Sequence, residues 1–91
     1  MPEKTSTGSR FVSLAGLALA GAGVAHFVKP EAFDEITGQA FPSDTRTHVY
    51  IDGAAETAIG LALAVPKTRK LAVVGLIGYG AYLGVNIARN R

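Results

Sequence analysis

Apolar residues in this chain fall into three long runs separated by short polar blocks, and the polar residues are gathered rather than interspersed. Residues 11–28 form the first run, with Ser13 and His26 its only polar members. As a helix rising 1.5 Å per residue it spans roughly 27 Å, about the hydrocarbon thickness of a bilayer. Residues 49–65 form the second run, which ends at Pro66 and carries Asp52 and Glu56. Residues 71–87 form the third, with Asn86 near its end and Arg89 and Arg91 beyond it. The last two lie near the lower length limit for a crossing, so a thin membrane or flanking protein is required.

The block between the first two runs has its own pattern. Pro30 suits a first helical position, Glu31, Asp34 and Glu35 suit the positive end of a helix, and Gly38 suits a stop. Phe33, Ile36, Ala40 and Phe41 share one apolar side. The pattern predicts a short helix over about residues 30–41 lying at the membrane interface, with a soluble loop as the alternative. The expected fold is therefore all-α: one integral membrane domain over residues 1–91, a three-helix bundle with an interfacial helix between its first two members.

Composition agrees. Nearly half the chain is hydrophobic (48%) and only 18% is charged, which suits a lipid solvent better than water at 91 residues. With no cysteine, disulfides, thiolate metal sites and thiol redox chemistry are excluded. A formal charge of +2, concentrated beside the apolar runs, does not point to nucleic acid.

Basic residues then orient the chain. Lys4, Arg10, Lys67, Arg69 and Lys70 fall on one side, and Lys29, Arg46, Arg89 and Arg91 on the other. The count is nearly even, but the loop holding Lys67, Arg69 and Lys70 is short and free of acids. Short basic loops stay in the cytoplasm, which puts the N-terminus inside and the C-terminus outside. The first run, with Ala18-Leu19-Ala20, also resembles a secretory signal and its cleavage site; it is read as a retained helix.

Inside lipid, helices are held by close packing of small residues. Gly16 with Ala20, and Gly21 with Ala25, supply this on the first helix. Ala54, Ala58 and Ala62, with Gly53 and Gly60 nearby, supply it on the second. On the third, Gly80 and Gly84 make a GxxxG that Gly75 and Gly78 extend. That is more small surface than three helices bury among themselves, which leaves some for a larger membrane partner as well as for lipids.

His48, Asp52 and Glu56 stand at i, i+4 and i+8, sharing a face of the second helix. With the orientation above, His26, Tyr82 and Asn86 join them in the outer half of the bundle. Acids at such depth face inward, pair with partners or take up a proton, and are functional candidates by default. His26 and Asn86 are the expected partners of Asp52 and Glu56 if the cluster only locks the helices; otherwise it holds a proton, a quinone carbonyl or a polar headgroup. No metal-ligand pattern, nucleophile–base pair or phosphate loop is present, so neither a metal nor a catalytic residue is assigned.

The segments Gly23-Val24-Ala25-His26-Phe27, Pro30, Phe33, Gly53-Ala54-Ala55-Glu56, Gly60 and Pro66-Lys67-Thr68-Arg69 together resemble the DoxX-like family of small bacterial membrane proteins, over roughly residues 11–86. That resemblance implies a helical protein of the bacterial cytoplasmic membrane, with His26 and Glu56 matching the family's recurring histidine and acid. It also implies a link to quinone-coupled oxidoreductase assemblies. Three crossings rather than the family's usual four, and the lack of cysteine, depart from its pattern. The expectation is a non-catalytic accessory subunit, without a cofactor, of a transporter or respiratory complex. A quinone-linked subunit or a small proton-coupled carrier is the alternative.

Overall fold

The computed structural model describes residues 7–91, and every regular element among them is a helix. Lys4, used above for orientation, lies outside the described residues. Helix α1 covers Thr7–Val28, α2 Asp34–Ala40, α3 Thr45–Ala64 and α4 Arg69–Arg89. Single 3₁₀ turns at Pro30–Phe33 and Pro66–Thr68 lead into α2 and α4, each with its proline at the first helical position. Helices α1 and α3 begin before the apolar runs they contain, because hydropathy marks the apolar portion of a helix and not where its hydrogen bonding starts. The turn into α3 passes through Asp44 at φ 53°, a left-handed conformation that aspartate tolerates.

Helices α1 and α3 share the most extensive interface. They meet backbone to backbone along Gly16, Ala20 and Gly23 on one side and Gly53, Thr57 and Gly60 on the other. A Cβ on Gly16 would lie 2.6 Å from both the Ala64 nitrogen and the Gly60 oxygen, and one on Gly60 would lie 2.5 Å from the Gly16 oxygen. The seam repeats every seven residues, from Gly16 to Gly23 and from Gly53 to Gly60. Ala54 and Ala58 are exposed and Gly21 has open space around it, so the seam uses the glycines and not the expected alanine ladder. On α4 only Gly75 is packed, against Ile59. Gly78, Gly80 and Gly84 have nothing within 4 Å, so the GxxxG faces away from α1 and α3.

At the far end of α3, three carbonyls that the helix cannot satisfy itself are taken by side chains. Thr68 Oγ1 donates to the Ala62 oxygen (2.7 Å), Arg69 Nε to Leu63 (2.9 Å) and Ser13 Oγ to Ala64 (2.8 Å). Arg69 also donates to Ser13 Oγ (2.9 Å) and Ser9 Oγ (3.2 Å), so one guanidinium joins the start of α4, the end of α3 and the start of α1. A cation at a helix C-terminus also favours the helix dipole.

Helix α4 lies against α3, and α2 packs across both. Helix α1 and the tract Pro66–Arg89 are long and apolar enough to cross a membrane, and only 22% and 6% of their apolar windows are buried. Their hydrophobic surface therefore points outward, with Leu71, Val74 and Ile77 of α4 about 70% exposed (71%, 68% and 69%).

Candidate functional site

Helix α2 and the turn before it form one wall of a half-open chamber of about 280 Å³ that α1, α3 and α4 also line. Its polar end is built from His26, Asp52, Glu56 and Tyr79, while Phe33, Phe41, Leu83 and Ile87 supply much of the apolar wall. His26 comes from the last turns of α1, where the glycine seam brings it against α3: a Cβ on Gly53 would meet the His26 Cβ at 2.5 Å. Asp52 and Glu56 are one helical turn apart on α3 and both reach the chamber.

The hydrogen bonds fix much of the chemistry. His26 Nδ1 stands 2.7 Å from the Ala22 oxygen, and since a carbonyl only accepts, Nδ1 carries a hydrogen. His26 Nε2 then faces Glu56 Oε2 at 3.8 Å. Tyr79 donates its hydroxyl to the same carboxylate oxygen at 2.6 Å. At that 3.8 Å separation His26 Nε2 and Glu56 Oε2 are neighbours without a direct hydrogen bond. The imidazole is 5% exposed and stacks on Phe33 (centroids 3.8 Å apart, 17° between planes), which holds the ring's orientation. Asp52 is 4% exposed, and its Oδ1 has no hydrogen-bond donor.

The sequence-derived cluster is divided. His26, Asp52 and Glu56 meet at the chamber, whereas His48, Tyr82 and Asn86 line a separate open cleft on the other side of Phe41. His48 Nδ1 contacts the Asp44 oxygen at 3.1 Å, and its ring stacks on Phe41 at 4.0 Å and 4°. Asn86 donates to the Tyr82 carbonyl of its own helix (2.7 Å) and does not partner either acid. The physical reason is rotation: at 100° per residue each i, i+4 step drifts about 40°, so over eight residues His48 turns away from Glu56. Tyr79, not singled out in the sequence, is the actual α4 partner of Glu56. The signal for it was its position on the α4 face opposite Gly84, four residues after the packed Gly75. Among the described residues no group of three or more potential ligands is placed to hold a metal ion.

The cover is tied down from several sides. Asp34 on α2 accepts both donors of a bidentate pair with Arg46 of α3 (2.6 and 3.0 Å). The Arg46 hydrogen bonds hold the Asp34 carboxyl below its ordinary range and hold the guanidinium charged. Phe41 is buried between His48 and Tyr82, and Asn90 Nδ2 caps the Ala40 carbonyl at 2.9 Å.

A small all-helical chain with two outward-facing apolar helices and a half-open pocket beside α2 is thus the class that fold and site define. The chain belongs to the family described as a domain of unknown function, DUF8561, whose model matches residues 14–89. No curated protein and no solved structure matches it.

Proposed function

We propose that this chain is an accessory subunit of the bacterial cytoplasmic membrane, without catalysis of its own, whose α4 packs against a helix of a larger complex such as a transporter or respiratory assembly. In this reading α1, α3 and α4 cross the bilayer, α2 lies at the outer interface and the N-terminus is cytoplasmic. The outward apolar surface of α1 and α4 supports the crossing. It is also what a DoxX-like protein would present, with His26 and Glu56 as the family's histidine and acid.

The observation that carries the partner is the bare glycine face of α4. Gly80 and Gly84 are one turn apart, with nothing within 4 Å of where their Cβ atoms would stand. Small residues four apart let a second backbone approach closely, which inside lipid is a main source of helix association. A facing helix with small residues of its own is the matching occupant. Photo-crosslinkers placed at Gly84 and, for comparison, at Leu17 on the exposed side of α1 test this in native membranes. One membrane protein captured from position 84 but not 17, recovered in equal amount, and lost in Gly80→Ile, supports the subunit. Migration as a free monomer after mild extraction, or capture only of a second copy, overturns it.

The chamber favours a second reading, a quinone-linked subunit or small proton-coupled carrier, because structural locking alone does not require a cavity beside two acids. Of the two, the carrier fits better. Asp52 Oδ1 is an acceptor without a donor, and an oxidised quinone carbonyl offers another acceptor. Proteoliposomes lacking pH-dependent flux would remove the carrier, and Glu56→Gln with unchanged quinone-dependent turnover would remove the redox subunit.

A further inference from the structure

The chamber behind α2 has a charge pattern that the accessory role does not use. Two carboxylates and one imidazole meet at its polar end, and no lysine or arginine lines it. His26 is held by the Ala22 carbonyl and Glu56 accepts from Tyr79, so each of these groups has a hydrogen-bond partner within the chain. Asp52 is left over: almost wholly buried, facing the chamber, with Oδ1 lacking a donor. The nearest other imidazole, His48, lies beyond Phe41, with its Nδ1 at the Asp44 carbonyl. A buried acceptor without a donor is costly, and an unpaired buried charge more so.

We propose that the chamber binds a small organic ammonium, its charged head donating to Asp52 and its hydrocarbon body lying against Phe33, Phe41, Leu83 and Ile87. Each part of the cavity selects for this class. The acid end takes a cationic donor in preference to an anion or an acceptor. The apolar wall offers nothing to a bare metal ion, which requires oxygen or nitrogen ligands on several sides. The volume of about 280 Å³ has room for a body the size of butylammonium or hexylammonium. The site stands independently of the α4 partner, so either proposal can fail without the other.

The test uses the full chain in bilayer nanodiscs, titrated by calorimetry with butylammonium and with 1-butanol, its neutral counterpart, after subtraction of empty discs. Saturable binding of one butylammonium per chain is expected, with butanol binding at least tenfold weaker. Asp52→Asn, which removes the charge but keeps the shape, should weaken butylammonium at least tenfold at unchanged helix content. Leu83→Trp fills the chamber while leaving Asp52 in place and should abolish binding; it decides the matter if Asp52→Asn does not fold. Absence of saturable binding to the wild-type chain overturns the proposal. So does equal binding of butanol, or retention of butylammonium affinity in a folded Asp52→Asn or Leu83→Trp chain.

Discussion

Replacing Gly60 by alanine adds one methyl group where α1 and α3 meet backbone to backbone. Its Cβ would stand 2.5 Å from the Gly16 oxygen and 2.8 Å from the Ala20 Cα, both backbone atoms that no rotamer change can move. Carbon contacts are comfortable at about 3.5 Å, so the helices must part by about 1 Å locally. A gap of that size forfeits a quarter to a half of each dispersion contact it opens, and inserting a methylene into a packed interior typically costs about 1–3 kcal/mol. Gly60→Ala should fall at the upper end, because the displaced groups belong to two rigid helices. Gly80→Ala serves as its control. That site is open, so the same substitution should be neutral or stabilise by up to about 1 kcal/mol through helix propensity. Reversible unfolding in mixed micelles, followed by helical circular dichroism, measures both differences. If the two variants unfold alike, the seam is not what holds α1 to α3.

Arg69→Ala removes donors to Leu63, Ser13 and Ser9 and should cost about 1.5–3 kcal/mol in the same assay, with Arg69→Lys recovering only part, since an ammonium lacks the planar fork. Phe41→Ala should release α2 at a cost of about 3 kcal/mol, seen as faster proteolysis within residues 29–44 under conditions where α1 and α3 stay intact. The Asp34 carboxyl is held below its ordinary value near 3.8 by Arg46. The stabilisation this gives the cover is therefore fully present above about pH 4 and is lost as pH falls through the lower folded value. Amide exchange over residues 34–40 should accelerate there, and also in high salt at neutral pH, because the pair is exposed; exchange indifferent to both would contradict the strap.

The helical segments were readable because long apolar runs and prolines mark them directly. Pro30 and Pro66 each stand at the first position of a 3₁₀ turn, as their restricted backbone dictates. The short helix over the block after Pro30 followed from its acids and its Phe33/Phe41 side. The pairing of faces was not readable to the same degree. Glycines at 16, 53, 60, 80 and 84 look equivalent in sequence, yet the first three lie against a neighbouring backbone and the last two against nothing. The seven-residue spacing shared by Gly16/Gly23 and Gly53/Gly60 was the available signal. Of the polar cluster, His26, Asp52 and Glu56 converge, while Tyr82 and Asn86 lie elsewhere, because which side of α4 meets α3 depends on tertiary packing. Arg69 looked like a topology charge. Its role as a cap exists only once the ends of α1 and α3 are side by side.

The contact between Tyr79 and Glu56 joins the last helix of the chain to an earlier one, which gives synthesis an order. Helices α1 and α3 can close their seam before α4 exists, since neither needs it for backbone contact. Making the 21 residues of α4 takes roughly 1–4 s at ordinary elongation rates, far longer than helix formation. Arg69 is the first residue of α4 to be made and Tyr79 the eleventh, so Leu63 can gain its guanidinium before Glu56 gains its phenol. The Tyr79–Glu56 hydrogen bond therefore forms only once half of α4 has been made. A chain truncated before Tyr79 would leave Glu56 without that donor.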